Sequence, residues 1–159
     1  MTTSQVGKIE WVHVLRAALA WAVVYAIGAA IGLYVFLARE LMHALAALGH
    51  PVEPRASELA RVSVFGMIFI LGLGVASSWL YAVVRVCYGT RSRTALRSGL
   101  FIWALCVAAP VSHLVVFRII SVRFAALDLL GECLLILVAS VVGSRTYEWS
   151  VRSRPPNSP

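Results

Sequence analysis

Apolar residues along this chain are concentrated in four long runs, and polar residues are gathered between them. The runs are Ala17 to Ala38, Val62 to Val84, Ser98 to Phe117 and Phe124 to Ser144. A helix needs about 20 apolar residues to cross the hydrocarbon core of a bilayer, and each run is long enough. Backbone groups in lipid must be satisfied within the segment, which requires helices. The pattern therefore predicts an all-α membrane protein, a four-helix transmembrane bundle.

The four runs divide the chain into spans, loops and terminal segments. The predicted order is a segment 1–16, span 17–38, a loop 39–61, span 62–84, a basic loop 85–97, span 98–117, a short loop 118–123, span 124–144 and a tail 145–159. The loop 39–61 contains "RELMHALAALGH", whose leucines recur at helical spacing, so we expect a short interfacial helix there. The tail ends in "SRPPNSP", which has no apolar content and is predicted to be disordered.

Composition supports the membrane class. Hydrophobic residues make up 60% of the 159 positions, charged residues make up 13%, and the mean hydropathy is +0.85. A soluble domain is about 25% charged, so these charges are too few to cover a water-soluble globule. Three cysteines without a C-x-x-C pair argue against a disulfide framework or a zinc site, and no metal site is expected.

Lysine and arginine are distributed unequally between the two sides of the predicted bundle. Nine lie in the terminal segments and the basic loop, whereas five lie on the other side. The positive-inside rule therefore predicts that both termini and the basic loop are cytoplasmic, and that 39–61 and 118–123 are external. The net charge of +7 does not indicate nucleic-acid binding, because the basic residues lie between apolar segments. The loop arginines are expected to contact anionic lipid headgroups: Arg85, Arg91, Arg93 and Arg97.

Two acids, Asp128 and Glu132, lie inside the fourth run at positions i and i+4. They share one helix face, and Glu132 lies about 13 Å along the helix from Arg123. Ionised carboxylates at that depth are costly and are functional candidates by default. Three interpretations stay open. The acids could be a structural pair bonded to neighbouring helices, with Arg118 or Arg123 close to Asp128. They could be a proton- or ion-binding site centred on Glu132, or the helix could be shallow with both acids near water.

The remaining candidate chemistry is sparse. His113, near the outer end of the third span, and His43, beyond the first, are the histidines from which a membrane haem could take axial ligands. Nothing else favours that pairing, so no cofactor is expected. The soluble segments are too short for a catalytic domain, so the chain is not expected to be an enzyme.

The small residues of the spans indicate how the helices associate. Gly28 and Gly32 form a G-x-x-x-G pattern in the first span, and Gly74 and Ser78 have the same spacing in the second. Such positions let helices approach closely in lipid. The sequence leaves open whether they pack within one bundle or form a dimer face. Pro110 is expected to kink the third span.

The segment "WLYAVVRVCYGTRSRTALRSGLFIW" resembles a group of small bacterial four-helix integral membrane proteins of unknown function. The residues that carry the resemblance are Trp79, Leu80, Tyr81, Ala82, Arg85, Tyr88, Gly89, Thr94, Ala95, Leu96 and Trp103. The later segment "GECLLILVASVVGSRTYE" is similar to the last span of that group. The resemblance implies four helices and a bacterial origin, and it aligns Glu132 with a recurrent acid, whereas Asp128 is particular to this chain. It implies no activity.

These observations predict a multi-pass protein of the bacterial inner membrane with a structural or accessory role. The expected partner is the lipid bilayer. Whether the chain also forms a homo-oligomer or joins a larger membrane complex is left open. The alternative is a proton-coupled small carrier or ion conduit that uses Glu132. A haem-binding redox subunit that uses His113 is a minor alternative.

Overall fold

The computed structural model of the protein describes residues 10–32, 56–89 and 92–153 and, apart from those of 56–62, their side chains. These residues form helices and contain no strand. The helices are α1 (Trp11–Gly32), α2 (Ala56–Tyr88), α3 (Ser92–Val116) and α4 (Val122–Arg152). Each contains a stretch long and apolar enough to cross a membrane. The prediction of an all-helical chain with four candidate membrane-spanning helices is confirmed, and such a chain has the character of a multi-pass membrane protein.

The helices form a bundle in which neighbours run in opposite directions. Helix α1 packs against α2 and α4, and α3 packs against the same two helices. His13, at the start of α1, contacts Ser150, at the end of α4. Arg85, at the end of α2, contacts Glu148 of α4. Helix α1 therefore begins where α2 and α4 end, and we call this the paired end of the bundle.

The outer surface of the described helices is largely apolar, and small polar side chains lie in the interior together with apolar ones. On α1, the large side chains Leu19, Val23, Ile27 and Ile31 are all more than half exposed. Small polar side chains are buried between the helices instead: Ser77, Ser78, Thr94, Ser98, Ser140 and Ser144. An apolar outer surface is stable in lipid, where packing and polar contacts hold helices together. The exposed apolar side chains thus agree with helices that are long and apolar enough to cross a membrane.

Two glycines permit close contacts at the centre of the bundle. A Cβ atom at Gly74 of α2 would lie 2.8 Å from the carbonyl oxygen of Ala18 in α1. A Cβ atom at Gly99 of α3 would lie 2.6 Å from Oγ of Ser140 in α4. The small residue at position 74 therefore serves packing within one chain, which was one of the two interpretations that the sequence left open.

The helices extend beyond the predicted spans, and this corrects several loop and terminal assignments; for example, α1 already begins at Trp11. Arg85, Arg93 and Arg97, predicted in a basic loop 85–97, lie on helices, and Gly89 is the described residue between α2 and α3. Residues 145–152, predicted in a disordered tail, belong to α4. Hydropathy detects only the apolar part of a helix. A helix can continue beyond that part because polar residues such as arginine have a high helix propensity. Residues 56–61, predicted in the external loop 39–61, belong to α2. The interfacial helix predicted at residues 39–50 lies outside the described residues.

Helix α3 is not a regular α-helix throughout. It widens into a π-helical turn at Ala104–Ala108, just before Pro110. Proline lacks the N–H that would continue the helical ladder, which accounts for an irregularity here. Ser112 Oγ donates a hydrogen bond of 2.6 Å to the carbonyl of Ala108 in its own helix.

Candidate functional site

The two acids of α4 line a cavity between α1, α2 and α4. Asp128 and Glu132 lie one turn apart on the same face, and both are partly buried. The cavity has a volume of about 610 Å³. Its other described lining residues are mostly small or apolar: Ala26, Ala29, Ala30, Gly32, Ser63, Gly66, Met67, Ile70, Gly131 and Leu135. We call this part of the molecule the cavity end.

Glu132 has a specific partner on the opposite helix. The hydroxyl of Tyr25 in α1 donates a hydrogen bond to Oε2 of Glu132. The Tyr25 ring stacks on Trp21 with a centroid distance of 5.0 Å and an interplanar angle of 11°. Trp21 in turn donates from Nε1 to Oγ of Ser140 at 3.1 Å, and Ser140 is 3.2 Å from Oγ of Ser77. The Tyr25 ring is therefore positioned by Trp21, whose own orientation is fixed by its hydrogen bond to Ser140.

Asp128 differs from Glu132, because within the described part of the chain it has no hydrogen bond or ion pair. The predicted neighbours do not reach it: neither Arg118 nor Arg123 forms an ion pair there. Arg118 lies in the turn after α3 with φ of 56°, and Arg123 is exposed in the first turn of α4. Five residues of an α-helix correspond to a rotation of about 140°, so Arg123 and Asp128 point in different directions. Among the described residues, Asp128 therefore forms no ion pair with either arginine.

His113 is not brought to the acids. It is not among the described residues that line the cavity, and its Nδ1 lies 2.8 Å from the carbonyl oxygen of Ala109 in its own helix. The second histidine of the haem hypothesis, His43, lies outside the described residues. A haem between the two histidines therefore stays a minor alternative.

The paired end contains a second polar cluster, which joins three helices. Glu148 of α4 accepts hydrogen bonds from Arg85 at 2.7 Å and from Tyr81 at 3.1 Å, both on α2. The Arg85 guanidinium lies 4.6 Å from the centroid of the Tyr147 ring. His13 of α1 adds a hydrogen bond of 2.5 Å to Ser150. This cluster holds the ends of α1, α2 and α4 together.

The arginines predicted to contact lipid therefore have different surroundings. Arg85 is engaged by Glu148 inside the molecule, and its side chain is 24% exposed. Arg97 lies 5.4 Å from the Tyr88 ring, and Arg93 is exposed at the start of α3. Arg91 lies outside the described residues. Contact of any of them with lipid stays a prediction.

Reasoning from sequence missed Tyr25 and the paired end. A signal for the first was present, because a tyrosine within a membrane span needs a partner for its hydroxyl, and Glu132 is the deep acid. A signal for the second was the pair Tyr81 and Arg85, which share a helix face at i and i+4. Their common partner, Glu148, is distant in sequence, and its position follows only from how α2 and α4 pack.

Comparisons with protein-family models, with curated proteins and with solved structures found no match to this chain. The four apolar helices are the part of the resemblance to small bacterial membrane proteins that the structure supports.

Proposed function

We propose that the protein is a small proton-coupled carrier of cations that uses Glu132 and Asp128 as an intramembrane binding site. The observation that carries the proposal is the placement of both acids on one cavity of about 610 Å³. An acid needed only for structure would be expected to pack against its partners. Here Asp128 has no hydrogen bond or ion pair among the described residues and borders open volume.

The charge of the site gives the reason for coupling. Two carboxylates one helical turn apart repel each other, and each is costly to ionise in lipid surroundings. Either a proton or a cation relieves that cost. The proton and the cation neutralise the same carboxylates, so binding of one disfavours binding of the other. This competition is the condition for exchange of one for the other.

The lining of the cavity indicates the kind of cation. A hard metal ion takes six or more oxygen ligands, whereas this wall consists mainly of methyl groups, methylenes and glycine backbone. Such a wall suits a weakly hydrated organic cation with apolar substituents, whose charge lies beside the acids. Tyr25 acts as a positioning residue, because its hydrogen bond orients the Glu132 carboxylate.

The proposal includes orientation and location. The bias of arginine and lysine favours cytoplasmic termini, which would put the paired end at the cytoplasmic surface and the cavity end toward the outside. The resemblance to bacterial four-helix proteins favours the bacterial inner membrane.

The test is transport in proteoliposomes that contain the purified chain, an acidic lumen and a pH-sensitive dye. External tetraethylammonium should cause a saturable rise of the internal pH as protons leave. Glu132→Gln should abolish this rise while expression and helix content stay unchanged. The matched control is Glu10→Gln, which removes an acid that precedes α1 and should retain full exchange.

A structural or accessory role is the second candidate, and one observation favours it. The hydrogen bond from Tyr25 already satisfies part of Glu132, and the layer of Trp21, Ser77 and Ser140 is tightly joined. Under this role, the wild-type chain would give no exchange with tetraethylammonium or with other cations. It would instead migrate with a larger complex when membranes are solubilised gently, and Glu132→Gln would disrupt that complex.

A further inference from the structure

A second concave site lies at the paired end of the bundle, whereas the acid cavity lies at the cavity end. It is a groove of about 280 Å³ between the last two turns of α4 and the neighbouring ends of α2 and α3. Residues that matter for its chemistry are Tyr81, Ser92, Arg145, Glu148, Trp149 and Arg152. None of them takes part in the proposed exchange, so the groove needs a separate account.

The groove has an excess of positive charge. Its acid, Glu148, is already bound by Arg85 at 2.7 Å and by Tyr81 at 3.1 Å. Arg145 and Arg152 are exposed, and neither forms an ion pair within the described part of the chain. Two guanidinium groups therefore remain available to an anion.

The spacing of these groups suits one phosphate. Arg145 and Arg152 are seven residues apart, which is about 10 Å along α4 on the same face. Their long side chains can converge on a group that lies between them, and guanidinium binds phosphate with two parallel hydrogen bonds. Ser92 is the first residue of α3, where backbone N–H groups have no partner in the helix and favour a negative charge.

The surroundings favour a phospholipid over a phosphate in solution. Trp149 borders the groove and is 70% exposed. Tryptophan is enriched at the level of lipid headgroups, where its ring contacts the apolar region and its N–H contacts water. The two guanidinium groups carry two positive charges, whereas the phosphate of a phospholipid carries one negative charge. A headgroup that adds a positive amine is therefore less well matched to the groove.

We propose that this groove binds the headgroup of an anionic phospholipid, with Arg145 and Arg152 on the phosphate, Ser92 beside it and Trp149 against the glycerol region. The site differs from a general attraction between basic residues and the membrane. It is specific in position, and it does not depend on the exchange activity proposed for the acid cavity.

The test is lipid retention by the full-length chain, measured by native mass spectrometry after release from mixed phosphatidylglycerol and phosphatidylcholine. The wild type should retain one phosphatidylglycerol in preference. Arg145→Gln with Arg152→Gln should weaken retention about 30-fold, and each single substitution about fivefold. The matched control is Arg93→Gln with Arg97→Gln, which removes equal charge at the same end and should retain the lipid.

Two outcomes would overturn the inference. An equal loss of retention in both double variants would mean that the lipid responds only to total charge at this end. Competition by inorganic phosphate as strong as that by a short-chain phosphatidylglycerol would mean that the groove is a site for soluble phosphate. Circular dichroism and gel filtration check folding, and the single variants provide the same comparison if the double variant is unstable.

Discussion

The two ends of the bundle contain similar polar groups in opposite situations. At the paired end, Glu148 accepts hydrogen bonds from Arg85 and Tyr81, and those bonds join α4 to α2. At the cavity end, Glu132 has one partner, Tyr25, and Asp128 has none among the described residues. A charge that is matched by its neighbours stabilises helix packing, whereas an unmatched charge beside a cavity remains available to a ligand. The cluster around Glu148 therefore stabilises the packing of the helices, whereas the two acids at the cavity end are candidates for function.

The largest effect is expected where the tight centre of the bundle joins the two ends. Gly74→Leu places a Cβ atom 2.8 Å from the Ala18 carbonyl oxygen and must push α1 away from α2. We expect a loss of about 3 kcal/mol in the free energy of unfolding in detergent micelles. The control is Gly72→Leu on the same helix, where an added Cβ meets no atom within 4 Å. Equal stability of the two variants would contradict close packing of α1 on α2.

A smaller but still large effect is expected at the paired end. Arg85→Gln leaves Glu148 partly buried without its cation, and we expect a loss of about 2 kcal/mol. Glu148→Gln should cost a similar amount, because it leaves the Arg85 guanidinium without its anion. The double variant should lose less than the sum of the two, since both remove the same interaction. Additive losses, measured by thermal unfolding in the same detergent, would show that the pair is not coupled.

The sequence predicted the helices better than it predicted the sites, and the reason is physical. Hydropathy depends on local composition, so four apolar runs are sufficient to indicate four helices. It overlooked the polar ends of those helices, since Arg93, Arg97 and Arg145 look like loop residues on a hydropathy scale yet lie on helices. Helix ends depend on backbone preferences and on packing, neither of which hydropathy measures.

The acids illustrate the same limit at the level of a site. Their spacing was sufficient to put Asp128 and Glu132 on one face. Their partners were not predictable in the same way, because they depend on which helices adjoin that face. The nearby Arg123 is rotated away, whereas Tyr25, more than a hundred positions earlier, donates to Glu132. A cavity is still harder to foresee, because it depends on the sizes of side chains on three helices.

A moderate effect is expected from the partner of Glu132. Tyr25→Phe retains the stack on Trp21 and removes only the hydroxyl, so we expect a loss of about 1 kcal/mol in the free energy of unfolding. The variant should also shift the cation concentration needed for exchange, since Glu132 loses the group that orients it. The control is Tyr88→Phe, which alters a tyrosine that is 62% exposed. Matching behaviour of the two variants would mean that the hydrogen bond to Glu132 has no role.

The smallest effect on stability is expected at Asp128, and its sign is what distinguishes the two ends. Asp128→Asn has nearly the same size and removes a charge that has no partner among the described residues. The free energy of unfolding should therefore stay the same or rise by up to about 1 kcal/mol, whereas Glu148→Gln lowers it. Exchange of protons for tetraethylammonium should at the same time become slower.

Sites that bind ligands are often tuned for binding at some cost to stability, so a gain in stability with a loss of exchange would identify Asp128 as part of such a site. A loss of stability as large as that of Glu148→Gln would instead mean that Asp128 is paired, and that both ends of the bundle are structural.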